Sequence, residues 1–293
     1  MYQPSIKLLS AAILMGCLSA PVMADEVAPA PAAAEAEAKP DWSFVGNVTL
    51  VSDYIFRGQS QSWGKPSLQA FVEADHKSGF YAGFSAASVS GHWLPGADLE
   101  ADYFAGFRNS LPGAASAISF DVGVIYYTYP EANWSDSAFA GTNPNSLDTA
   151  EAYLALTYKW FTFKTGTTLT EYFGWNPNNS GVGSGFAGDL NAGVTGDTKY
   201  SSFYELNGLY EVMPSWTLGG QIGRQTISHS TGLDITYYKI GVTKAFASGW
   251  SVGANYSATN EPSAYKGFLS LENTTSASDI AEDKFFVTVS KGF

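Results

Sequence analysis

The sequence predicts an all-β chain: a transmembrane, antiparallel up-and-down β-barrel of about twelve strands that follows a cleaved signal peptide. Three observations carry the expectation. From Trp42 onward, apolar and polar residues alternate with period two in segments of roughly ten residues, the pattern of strands with two unlike faces. The connections between segments alternate short and long, as in a barrel with tight turns at one end and long loops at the other. Aromatic residues gather at the short-turn ends, where amphipathic rings favour a membrane interface. Alternation alone would suit a β-sandwich equally well. The other two features separate the architectures.

Residues 1–24 read as a targeting signal: Lys7 gives the positive start, Leu8 to Gly16 a short apolar run, and Val22-Met23-Ala24 a cleavage site with small residues at the required positions. Leu14-Met15-Gly16-Cys17 also resembles a lipobox, in which Cys17 would carry a lipid, but Met15 is atypical there. Cleavage after Ala24 would remove Cys17. Residues 25–41 are almost wholly Ala, Pro and Glu with no apolar face to bury, and are expected to form a disordered linker before a barrel at 42–293.

Strands are expected near 42–57, 66–76, 80–89, 97–108, 117–129, 150–160, 161–171, 201–212, 216–225, 235–246, 250–259 and 284–293. In the first, Trp42, Phe44, Gly46, Val48 and Leu50 share a face. Leu68, Ala70, Val72 and Ala74 do so in the second, opposite Gln69, Glu73 and Asp75. Short connections at 77–79, 109–116, the Trp160/Phe161 junction, 213–215 and 247–249 alternate with long ones at 58–65, 90–96, 130–149, 172–200, 226–234 and 260–283. An even strand number brings both ends of the barrel to the short-turn side, the periplasmic one. Trp42, Phe80, Phe107, Trp160, Trp216, Phe246 and Trp250 form the expected interface ring there, with Phe44, Phe161 and Phe293 beside them. Tyr54, Phe56, Tyr126, Tyr129, Tyr172 and Tyr256 are expected at the opposite end.

The last strand puts Phe285, Val287, Val289 and the final Phe293 on one face. This resembles the C-terminal signal read by the outer-membrane barrel assembly machinery, with periplasmic chaperones as partners on the way. Lys291 interrupts the apolar series. Because an open edge is intolerable in lipid, this strand must close against the first.

Composition excludes other classes. Only 14% of residues are charged while 15% are aromatic, against about 25% charged in an ordinary soluble domain. A formal net charge of −12 argues against a nucleic-acid partner, which needs a basic footprint. One Cys rules out a disulfide framework, and scattered His76, His92 and His229 do not suggest a metal centre. No cofactor is expected. Nor does a catalytic constellation stand out. His229-Ser230 lies in a polar loop without an apolar cleft, and His76 sits beside a short turn. His92 has Asp98 and Glu100 near it in sequence, a pairing common at any loop rim. The Gly-rich run 181–188 lacks the Lys and following helix of a phosphate cradle.

The stretch Asn47-Val48-Thr49-Leu50-Val51-Ser52-Asp53-Tyr54-Ile55-Phe56-Arg57-Gly58-Gln59-Ser60-Gln61 is distinctive. With Pro66-Ser67-Leu68-Gln69 and Ser78-Gly79-Phe80-Tyr81-Ala82-Gly83, it resembles the proteobacterial TorF family of porin-like outer-membrane β-barrels. The resemblance runs over the whole barrel and is most specific in its first three strands. It implies an outer-membrane pore whose solute is undefined, and it brings no catalytic residues.

Strand parity turns Asp53, Arg57, Glu73, Asp75, Glu100, Asp102, Arg108, Asp121, Glu151, Lys159, Lys164, Glu205 and Lys239 toward the lumen. Charges buried there must be paired or wet. The surplus of acids favours a wet, mildly cation-attracting interior. Asp53 and Arg57, about 13 Å apart along an extended strand, are too distant to pair. Either they flank the pore mouth, or Arg57 ties its loop to Glu73 or Asp75. The function that follows is a porin-like channel in the outer membrane of a Gram-negative bacterium, passing small hydrophilic solutes by passive diffusion. A non-conducting barrel acting as adhesin or surface receptor is the alternative. Loops 130–149, 172–200 and 260–283, rich in Asn, Ser, Gly and Thr, offer few apolar anchors for that role.

Overall fold

The computed structural model describes residues 40–139, 145–184 and 186–293. The expected signal peptide and nearly all of the expected linker, Cys17 included, lie outside the described residues. The remainder forms a closed antiparallel barrel of twelve strands. In chain order these are β1 (Trp42–Val51), β2 (Ser67–His76), β3 (Phe80–Ser88), β4 (Leu99–Ser110), β5 (Ile118–Thr128) and β6 (Thr149–Tyr158). They continue as β7 (Phe161–Thr168), β8 (Ser202–Met213), β9 (Trp216–Thr226), β10 (Ile235–Ala245), β11 (Trp250–Thr259) and β12 (Lys284–Gly292). Each strand pairs with its sequence neighbours, and β1 closes on β12. The ladder runs from Asn47 opposite Gly292 to Val51 opposite Thr288. It is lengthened by two backbone bonds between Gly46 and Phe293, at 3.2 and 3.0 Å.

Parity explains the two walls. Val48, Leu50, Leu68, Val72, Tyr103, Val124, Leu154, Leu206, Ile240 and Val287 are exposed on the outside. Their alternates Thr49, Gln69, Glu73, Asp102, Glu151 and Thr288 are buried inside. A continuous apolar outer wall of this kind suits lipid and not water. Trp42, Phe80, Trp160, Trp216, Phe246 and Trp250 are exposed at the short-turn end, and the Phe80 ring stands 4.9 Å from that of Phe107.

Inside the wall, aromatic rings lie over glycines of the adjoining strand. Phe104 is the register partner of Gly83, and Tyr81 of Gly106. A Cβ at Gly83 would come within 2.2 Å of the Phe104 ring, and one at Gly106 within 2.3 Å of the Tyr81 hydroxyl. Tyr153 opposite Gly123, Phe203 opposite Gly166 and Tyr237 opposite Gly223 repeat the arrangement. Large rings thus fit on an inner wall that curves tightly, because their partners have no side chain.

Two expectations need correction. The first strand was expected to reach Arg57, but β1 ends at Val51. Residues 53–62 then fold back into the barrel, all of them buried except the half-buried Phe56. Of the aromatics expected at the outer interface, Tyr54, Tyr129 and Tyr172 are buried in the interior, and Phe56 packs there too. Only Tyr126 and Tyr256 face outward, their hydroxyls donating to Asp148 and Asp283 at 3.2 and 2.7 Å.

Candidate pore interior

Three tiers of polar groups fill the barrel, counted from the short-turn end. The lowest centres on Arg108 of β4. Its Nη1 and Nη2 donate to the two carboxylate oxygens of Glu73 on β2, at 2.7 and 2.9 Å. Nη1 also reaches Asp75 at 3.1 Å, and Nε stands 3.6 Å from Asp121 of β5. The guanidinium lies 3.7 Å from the centre of the Tyr81 ring, a contact that stabilises the buried cation without desolvating a further anion. The Tyr81 hydroxyl donates to Asp121 at 2.5 Å and also meets the hydroxyl of Tyr153. Glu73 is fully buried, but the side chains of Asp75 and Asp121 are each 27% exposed and open toward the short-turn end.

The middle tier is built around Arg57, which enters from the loop after β1. Its Nη2 donates to both oxygens of Glu151 on β6, at 2.8 and 3.0 Å, and Nη1 to Gln225 of β9 at 2.6 Å. Beside it, Lys164 lies 4.3 Å from the Tyr153 ring centre, and Tyr237 donates to Glu205 at 2.7 Å. Lys239 is buried between its register partners Gln221 and Ser257.

In the upper tier, Glu100 accepts from the phenols of Tyr54 and Tyr129, at 2.7 and 2.6 Å. Burial first, and then the Glu100 charge, hold both phenols well above their ordinary range, so they remain donors. Asp102 accepts from Ser85 at 2.9 Å. Asp53 accepts from Ser60 and Ser62 and lies 3.4 Å from Lys284.

The structure therefore brings together nearly all the charges that parity assigned to the lumen. Lys159 is the exception. It sits with positive φ, at 55°, in the exposed turn between β6 and β7, because the strand stops two residues sooner than expected. Lys284, on the first inward position of β12, takes its place among the interior bases; the alternation of Phe285, Val287 and Val289 already implied it. Arg57 reaches neither Glu73 nor Asp75, which belong to Arg108. The charges expected to be free are, at mid-depth, buried and largely paired.

Above these tiers the long connections close over the mouth. Trp93, Trp134, Tyr172, Phe173, Trp175, Phe186, Tyr265 and Phe268 join one apolar cluster with the inner-wall rings. Trp93 contacts Phe268 edge-on at 4.9 Å between ring centres and donates through Nε1 to Gln61 at 3.1 Å. Trp134 donates to the carbonyl of Phe173, and Tyr265 to that of Leu233. The loops expected to hold few apolar anchors hold many, and they spend them on each other.

The histidines form no nucleophile–base pair with the neighbours suggested by sequence. Nδ1 of His229 donates to the Asp197 carbonyl, not to Ser230, and His76 meets Ser78 at an exposed turn. His92 lies 2.8 Å from Ser270 and 2.9 Å from Glu272, while Glu100 is turned to its two phenols. Among the described residues no cluster of His, Cys, Asp and Glu has the grouping needed to hold a metal.

Comparison with solved structures finds similarity at low identity. A KdgM porin in complex with disordered oligogalacturonate is 7% identical, with a TM-score of 0.47 over 86% of this chain and 99% of that one. A NanC porin is 8% identical, with a TM-score of 0.45 over 85% and 99%. The COG4313 outer membrane channel from Pseudomonas putida F1 is 15% identical, with a TM-score of 0.41 over 92% and 100%. No curated protein matches the sequence. A family described as "Bacterial protein of unknown function (Gcw_chp)" matches residues 35–293, and the chain belongs to that family.

Proposed function

We propose that the chain is a porin-like channel of the Gram-negative outer membrane, passing small hydrophilic solutes down their gradient with a mild preference for cations. The observation that carries this reading is the contrast between the two walls: apolar outside, and inside a charged, polar column running from the short-turn end to the loops. A barrel whose only task was to display loops would gain nothing from a charged core, since apolar side chains fill such a space at least as stably. The TorF-like opening stretch supports the same reading, as does the signal-like run of residues 1–24.

Cation preference rests on Asp75 and Asp121, the interior acids that stay partly exposed at the short-turn end. A solute entering there meets their field before the paired tier above. The test is the reversal potential across a planar bilayer in a salt gradient. Wild type should favour cations, and Asp75→Asn with Asp121→Asn should reduce that preference. Equal selectivity in both would overturn the assignment.

The closed outer mouth favours a second reading, a non-conducting adhesin or receptor. A folded barrel that stays silent in bilayers, even after its inward loop is removed, would decide for it.

A further inference from the structure

We infer that Arg57 is the latch of a gate: it fastens the inward hairpin of the first long loop across the lumen, and conduction requires its release from Glu151. The inference rests on the channel reading and names the moving part that reading needs.

Ile55–Phe56 and Gln59–Ser60 form a minimal hairpin with Arg57 and Gly58 at its tip. Both tip residues have positive φ, 46° and 82°, the twist a two-residue hairpin demands. That twist is natural for Gly58 and costly for a residue with a side chain, so Arg57 is held there by what its side chain reaches. The tip also fits closely. A Cβ at Gly58 would meet Thr259 at 2.7 Å and Tyr237 at 2.8 Å. The hairpin is therefore wedged against β10 and β11, while its guanidinium crosses to β6 and β9.

The guanidinium is stacked as well as bonded, 3.8 Å from the centre of the Phe203 ring and 4.7 Å from that of Phe56. Phe56 carries the connection on to Phe173, at 6.3 Å, in the loop after β7. One side chain thus joins the hairpin to both sides of the wall and, through Phe56, to the apolar cap.

A buried ion pair suits a switch. Its attraction is nearly cancelled by the cost of removing both ions from water, so a state with both rehydrated lies close in free energy. The bidentate geometry supplies direction. An apolar tip of similar size would fill the space yet offer no comparable exchange with water.

The test combines single-channel recording with thiol accessibility. Arg57→Ala and Glu151→Gln should each raise open probability about tenfold, within the range of coupling measured for contacting pairs. The double exchange Arg57→Glu with Glu151→Arg should return it toward wild type. Ser60→Cys, fully buried beside the tip, should react faster with a small thiol reagent in the Arg57→Ala background. Unchanged gating and reactivity in the single variants would overturn the latch, and conduction by a variant with residues 55–60 replaced by Gly and Ser would then leave the channel reading standing. If that replacement is also silent while still folded, the channel reading fails too. Faster Ser60→Cys reaction without current would support the latch as a hinge and reject the channel.

Discussion

Arg108 shows most directly how a charged interior is kept. Its guanidinium faces Glu73, Asp75 and Asp121 and stacks on Tyr81, so no anion of that tier is left alone. Replacing it with Met keeps the volume but strands Glu73, which is fully buried. Removing one partner of such a pair costs about 3–5 kcal/mol, whereas replacing both is often neutral. Arg108→Met should therefore lower unfolding stability in urea by that amount, and Arg108→Met with Glu73→Gln should recover most of it. A single variant as stable as wild type would show that the tier is hydrated. Parity made these residues legible, since any strand position two away from a lumen residue also faces the lumen. It failed for Lys159, where the strand ended early, and it could not show that tyrosine hydroxyls, not bases, would satisfy Glu100.

At the scale of elements, β12 closes the barrel through β1, and Phe293 extends that seam. Its backbone N–H and C=O both bond Gly46, and its ring lies where a Cβ of Gly46 would stand. Lys291 is a smaller matter: its ammonium turns back to the carbonyls of Ser248 and Gly292 at the rim. Deleting Phe293 should reduce the amount of assembled protein in the membrane fraction far more than Lys291→Phe does. Normal assembly of the truncated chain would contradict a role for this seam. The strands were readable because each repeats one period about five times. The loop folding was not. Trp93, Trp134, Trp175 and Phe268 are single anchors among Ser, Asn and Gly, with no period to announce a common cluster. The inward turn of residues 53–62 was hidden for another reason: Asp53-Tyr54-Ile55-Phe56-Arg57 continues the strand's alternation after the ladder has ended.

For the whole molecule, closure leaves no free edge, so detergent alone has no place to begin unpairing strands. Unboiled protein should therefore migrate faster in electrophoresis than boiled protein, and identical mobility would count against the barrel. Orientation is the remaining claim, and thiol labelling on intact cells tests it most directly. Removal or lipidation of Cys17 would leave no competing thiol. Asn273→Cys lies exposed in the long connection before β12, and Ser248→Cys lies exposed in the short turn before β11. A membrane-impermeant maleimide should label Asn273→Cys on intact cells and Ser248→Cys only after the outer membrane is opened. Labelling of Ser248→Cys on intact cells with Asn273→Cys protected, or equal labelling of both, would contradict a barrel that spans the outer membrane with its long loops outside.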